Sequence, residues 1–412
     1  MYAPFAPAMN ISNPSLSTAV GGSATEIFLF FLLGSLPYNR RSMESLLKEL
    51  IQAESTAEKG ELAAAEVIRS RFRRSGIDSW IDSWDQQRAN VVALVKSAGR
   101  RAGLLFACHL DVVGPGEAAW EYPAFGAVEA GGRIYGRGAV DMKGGIAAVV
   151  TAISRIVESG TKLQGDIVFA AVAGEETDSH GAERFVADRG RLPALAGAII
   201  PEPTDFAVVT AHRGMLWLEV TTTGKAAHSS TPYLGVNAIS SMRLILNELE
   251  NYEVWRPTHE LLGRCTMSIN TIAGGKALNV VPDKCTLGID IRTLPGQDLQ
   301  RVFADLEVIF AGLKSKNNEF DAAVSVRRRL DPLETDSRCD FVRSFCSAVR
   351  AGQTKAVGFT TDGPYFASLG APVVIFGPGK PEMCHKPDEH IEVADLQRAV
   401  EHYKNVILKF LT

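Results

Sequence analysis

The residues best suited to chemistry stand just after apolar runs. His109 and Asp111 close LLFACHLD, Glu175 and Glu176 follow DIVFAAVAG, and Glu202 follows GAIIP. His385 lies in the loop after PVVIFGP, and Asp141 sits in GRGAVDMKGG, directly before an apolar helical stretch. Side chains at the carboxyl ends of parallel strands converge on one edge of an open sheet, where such folds bind ligands. Carboxylates gathered that closely repel one another unless a cation lies among them. Imidazole and carboxylate without thiolate suit Zn²⁺, with Co²⁺ and Mn²⁺ as alternatives. Two histidines and several carboxylates exceed the needs of one tetrahedral ion. They fit a pair about 3.5–4 Å apart, bridged by a carboxylate. Glu175 and Glu176 are adjacent and cannot point the same way in extended chain. One can bind metal while the other faces the open position as general base.

Each residue alone has a plainer reading. A histidine after a strand is commonly structural, a Glu-Glu pair is commonly solvated, and Asp141 could cap the helix that follows. Their coincidence at successive strand ends is what argues for a shared role. Cys108 and Cys384 each precede a ligand histidine and read as packing residues. Two lookalikes fail. GRGAVD (136–141) has Asp where a dinucleotide fingerprint needs its third glycine, and GPGK (377–380) lacks the spacing and hydroxyl of a phosphate loop. No G-x-S-x-G occurs, which disfavours a serine nucleophile.

Elements of alternating type must position these groups. Leu46, Leu47, Leu50 and Ile51 have helical spacing, as do Leu62, Ala65, Ile68 and Phe72. Strands are predicted over 90–95, 104–110, 166–173, 197–201 and 372–378. A helix is predicted over 144–160, with Gly160 just past its end. Continuous apolar strands separated by helices predict an α/β fold with a mostly parallel sheet. From 214 to 331 the order changes to strand 217–224, helix 236–250, strands 265–275 and 284–294, helix 298–314 and strand 322–330. That is the β-α-β-β-α-β order of a ferredoxin-like unit. The expected organisation is therefore a catalytic domain in two parts, 43–213 and 332–412, with an inserted α+β domain at 214–331.

The 412 residues carry 43 basic and 47 acidic side chains, a net charge of −4, with 22% charged. This balance gives no electrostatic footprint for nucleic acid or an anionic membrane. Six cysteines with no C-x-x-C pair read as reduced thiols of a cytoplasmic protein. Residues 1–42 differ from the rest: the first charge is Glu26, and IFLFFLL (27–33) is too short to span a bilayer. They read as a poorly ordered extension or an over-extended start, with Met43 opening the first good helix.

As an ordered set, CHLDVV (108–113), GRGAVDMKGG (136–145), AGEETDSHGAERF (173–185), PEP (201–203), GKAAHSSTP (224–232), NVVPDKCTLGIDIR (279–292) and CHKPDEHI (384–391) are specific. Residues 43–412 resemble the dinuclear-zinc amidohydrolases and exopeptidases. This family includes acetylornithine deacetylase, succinyl-diaminopimelate desuccinylase, aminoacylase and glutamate carboxypeptidase. The resemblance implies one zinc on His109, Asp141 and Glu202, and another on Asp141, Glu176 and His385, with Asp141 bridging. It implies a cis peptide after Asp141, Asp111 orienting His109, and Glu175 as the general base. It further implies His228 as an oxyanion-stabilising residue that reaches a neighbouring subunit's site. Asn279 and Arg292 would bind substrate, although Arg292 could instead be a surface cross-strand partner. A homodimer through the inserted lid domain follows from the same resemblance. The implied reaction is hydrolysis of a small N-acyl amino acid. Acetylornithine, and with it arginine biosynthesis, comes first because of the H-x-P-D-E segment. Succinyl-diaminopimelate comes second because of T-D-G (361–363). Aminoacylase, dipeptidase or carboxypeptidase activity is a further alternative, and a non-catalytic binding module is the alternative of another class.

Overall fold

A computed structural model describes residues 40–412 except 251 and 255. The expected N-terminal extension therefore lies outside the described residues, apart from Arg40–Ser42, which open the first helix. No described helix is long and apolar enough to cross a membrane. The helices are α1 (Arg40–Gln52), α2 (Leu62–Arg74), α3 (Gly144–Glu158), α4 (His180–Ala187), α5 (Ala238–Leu249), α6 (Leu299–Lys316), α7 (Asp340–Val349), α8 (Gly363–Ala367) and α9 (Val393–Leu411). The strands are β1 (Asp78–Trp84), β2 (Arg88–Val95), β3 (Gly103–His109), β4 (Val128–Ala130), β5 (Arg133–Tyr135), β6 (Ile167–Val172), β7 (Leu195–Ile200) and β8 (Val208–His212). They continue as β9 (Gly214–Thr223), β10 (Thr266–Gly274), β11 (Lys284–Thr293), β12 (Asp321–Leu330), β13 (Leu333–Glu334), β14 (Thr354–Val357), β15 (Val373–Ile375) and β16 (His390–Glu392).

The large sheet runs β1-β2-β6-β3-β7-β15-β8-β13, with β14 also on β8. Its centre, β6, β3, β7 and β15, is parallel, while β1 and β2 add antiparallel at one side. Strands β3 and β6 are buried along their whole length, as continuous apolar runs in a sheet covered on both faces should be. Helix α3 is buried over most of its surface and ends at Ser159, with Gly160 at φ +69° behind it. The start of α3 lies so close to the sheet that a Cβ on Gly145 would stand 2.2 Å from the carbonyl oxygen of Pro201. Glycine is thus what lets the helix approach the turn that presents Glu202.

A second, all-antiparallel sheet runs β10-β11-β9-β12. In chain order its elements are β9-α5-β10-β11-α6-β12. Strand β11 alternates buried and half-buried residues, the mark of a sheet covered on one face. That face, with Leu216, Leu218, Leu287 and Ile289, packs on Met242 and Ile245 of α5 and Val302 and Leu306 of α6. Each such buried aliphatic side chain contributes roughly 1.5–3 kcal/mol. Asn237 caps α5 by accepting from Ser240 N, and Asp298 caps α6 by accepting from Gln300 N.

Candidate metal centre

The parallel strands deliver their successors to one edge. β3 ends at His109, β6 leads into Gly174–Glu176, β7 leads into Glu202, and the loop after β15 carries His385. Asp141 comes from an irregular turn, Ala139–Lys143, whose Asp141–Met142 peptide is cis. Its side chain caps nothing. Instead, its Oδ1 lies 3.1 Å from His109 Nε2 and its Oδ2 lies 3.2 Å from His385 Nε2. His109 Nε2 also lies 3.3 Å from Glu202, and His385 Nε2 lies 2.8 Å from Glu176. Donor atoms of His109, Asp141 and Glu176 all fall within 4.8 Å of one another.

The charges of the cluster weigh strongly on one another. Burial disfavours the His109 cation, but Glu202, Asp111 and Asp141 outweigh it and hold the imidazole pKa well above its usual range. Hydrogen bonds to Asp141 and Glu176 raise His385 to about 10. Burial would raise Asp141, yet the two imidazoles hold it well below the carboxylate range. Burial and the Asp141 charge push Glu202 up to about 7. A divalent cation among these groups would offset the same carboxylate charge. The donor set and its spacing fit divalent metal.

The Glu175 carboxylate is different. It is buried and faces a cavity, and among the described residues it has no hydrogen-bond or ion-pair partner. Burial, followed by Asp362, Glu176 and Glu202, raises its pKa well above the usual value. Its turn begins at Gly174, φ +84°, where a Cβ would meet Arg88 Nη2 at 2.2 Å. Asp111 fixes that turn: its carboxylate accepts from the N–H groups of Gly174, Glu175 and Glu176 at 2.9, 3.1 and 2.9 Å. Toward His109 the nearer partner is the Asp111 main-chain oxygen, 3.0 Å from Nδ1, with the carboxylate at 3.6 Å. The Asp111 carboxylate holds the Gly174–Glu176 turn more directly than it holds the imidazole.

The cavity holds about 550 Å³. Asp141, Glu175, Glu176, Glu202 and His385 line one side, and Met215, Trp217, Arg292 and Arg328 of the smaller sheet line the other. Arg292 lines this space and pairs at 3.0 Å with Asp290 of its own strand rather than across to a neighbouring strand. His228 and Asn279 do not line the cavity. Both are exposed beside one another, His228 bridging to Val280 and Ser229 N donating to Asn279 O. Cys108 packs in the core and Cys384 packs against it while also bordering the cavity, its thiol pushed far up by burial.

Sequence reasoning missed three groups. Glu389 is fully buried, binds Arg137 at 2.6 Å, and accepts from Val140 N and Asp141 N, bracing the Asp141 turn. Asp362, buried behind Glu175, is pushed up to about 7 by burial. In the sequence its T-D-G motif points only to substrate class. Arg328, in the run VRRRL, gave no signal beyond an exposed strand.

An open parallel sheet with paired imidazoles and carboxylates at its strand ends, facing a second sheet across a cavity, defines an enzyme of the metallopeptidase and amidohydrolase class. The chain belongs to peptidase family M20/M25/M40, whose sequence model matches residues 105–409. A probable succinyl-diaminopimelate desuccinylase of Staphylococcus aureus (strain N315) is 30% identical over 410 residues, covering 91% of this chain and 98% of the relative. An acetylornithine deacetylase of Myxococcus xanthus is 30% identical over 379 residues, covering 88% and 97%. Among solved structures, the YXEP protein of Bacillus subtilis, described as a dinuclear metal-binding peptidase, superposes with a TM-score of 0.67 at 16% identity over 90% of this chain and 99% of that one. The last shows a shared fold.

Proposed function

We propose that the protein hydrolyses the amide bond of N-acyl α-amino acids, acetyl and succinyl groups being the acyl classes of first interest. The observation that carries this is Asp141, one oxygen on each imidazole, with the unbonded Glu175 carboxylate facing the same cavity. His109, Asp141 and Glu202 would hold one divalent ion and Asp141, Glu176 and His385 the other. Zn²⁺ is the first choice, and Co²⁺ or Mn²⁺ suits the same donors. When bound, the pair would polarise the scissile carbonyl and acidify water. Glu175 takes a proton from water onto a carboxylate oxygen and returns it to the leaving amine nitrogen. Asp111 keeps Glu175 in place through the three N–H bonds of its turn, and Arg292 binds the substrate carboxylate. Six unpaired cysteines suit a reducing, cytoplasmic setting.

The test is a panel of N-acetylornithine, N-succinyl-diaminopimelate, N-acetylmethionine and a dipeptide, assayed with the zinc-loaded enzyme for release of free amine. One of the first two should exceed the others in kcat/KM by at least about tenfold. Hydrolysis of the dipeptide alone would replace N-acyl hydrolysis by peptidase activity.

The same reading includes a homodimer. Strand β10 is an edge of the smaller sheet and is exposed at every residue but Met267, with Ile269 and Ile272 among them. The loop beyond it exposes Leu278 and Val280. Pairing two copies along this edge covers these side chains and carries His228 and Asn279 toward a second copy's cavity. Light scattering should give twice the monomer mass of 44.4 kDa. A monomeric, fully active enzyme would refute this part.

A further inference from the structure

The turn that carries Glu175 and Glu176 is gripped from both sides. Asp111 takes its N–H groups. Its carbonyls are taken by Arg328 of β12: Nη2 donates to Glu175 O at 2.5 Å and Nη1 to Glu176 O at 3.3 Å. Among the described residues no other group hydrogen-bonds either carbonyl. The Glu175–Glu176 peptide is thus held at both ends, its N–H by a carboxylate and its C=O by a guanidinium, and charge-assisted bonds are the stronger kind.

A break in the strand aims Arg328 there. The pairing of β12 with β9 shifts between Val326 and Arg328, so that Arg328 stands opposite Trp217. In unbroken register Arg327 would face Trp217 and Arg328 would face Leu216, on the side that packs against the helices. The extra residue turns the guanidinium to the cavity side, where it lies 5.8 Å from the Trp217 ring centroid. Arg327, in the bulge, pairs instead with Glu219.

We infer that Arg328 is a positioning residue: it ties the smaller sheet to the peptides bearing the base and a metal ligand, so the placement of that sheet sets the placement of Glu175. This rests on the roles given to Glu175 and Glu176 under the proposed function. The test uses the full metal-loaded chain with Arg328→Met, Arg328→Lys and Glu175→Gln. Turnover of N-acetylornithine and N-succinyl-diaminopimelate is measured beside amide hydrogen exchange of the peptide 174–179. Arg328→Met should lower kcat by about 10²-fold, the order expected of a small misplacement, with KM little changed. It should also speed exchange of Thr177, Asp178 and Ser179, whose N–H groups bond Gly174 O. Arg328→Lys should recover part of both effects, and added guanidinium ion at sub-denaturing concentration should raise kcat of Arg328→Met. Unchanged exchange at this turn overturns the proposal. Loss confined to KM also overturns it, making Arg328 a substrate contact. If Arg328→Met does not fold, Arg328→Lys with the same readouts decides. If Glu175→Gln keeps full turnover, the base assignment falls, while exchange still decides whether Arg328 holds the turn.

Discussion

Glu175→Gln will cost about 10²–10⁴-fold in kcat, with metal content and KM near those of the parent enzyme. The substitution keeps the volume and removes only the ability to carry a proton. Glu175 makes no contact with His109, Asp141, Glu176, Glu202 or His385 by hydrogen bond or ion pair, so the metal set has no reason to loosen. Its turn is held through main-chain groups, which the substitution leaves intact. Burial and neighbouring carboxylates already raise its pKa well above the ordinary value, as a proton shuttle needs. Steady-state kinetics and metal analysis on the same preparation check this. Loss of metal together with activity would make Glu175 a ligand, and retained turnover would exclude it as the base.

Asp141→Asn should fall from two bound divalent ions per chain to fewer than one, whereas His385→Ala and Glu202→Gln should each keep one. Among the described residues Asp141 alone pairs with both imidazoles, through separate oxygens. A neutral amide offers one oxygen and a weaker donor, so both halves of the set lose their shared charge. Exhaustive chelation of the parent enzyme should likewise abolish turnover, and added Zn²⁺ should restore it. Atomic absorption after dialysis gives the counts. A parent enzyme that holds a single ion, or works unchanged after chelation, would end the dinuclear reading.

The proposed centre was legible because it obeys strand-end logic. Residues 104–110 were expected as a strand and β3 covers Gly103–His109, so His109 lands at its end. Edge pieces are harder: β1, DSWIDSW, breaks its Trp and Ile with two Asp and is only half-buried, so it shows no clean apolar run. The bracing residues left no trace for a different reason. Glu389 acquires meaning from partners far off in the chain, Arg137 at 252 residues and the N–H groups of Val140 and Asp141. Arg328 acquires its aim from a register shift, and hydrophobic period does not record which strand residue will be skipped.

The buried Arg137–Glu389 pair has a consequence for how the molecule comes into being. Strand β16 begins one residue after Glu389 and zips onto β5, so the last tenth of the chain braces a turn made in its first half. A polypeptide emerging from the ribosome has His109 and Asp141 long before it has His385 or Glu389. Contacts of such sequence separation form slowly. Completion of the proposed ligand set would therefore be a closing event of maturation, and a chain cut short near its carboxyl end should lose that set even when most of the large sheet is already made.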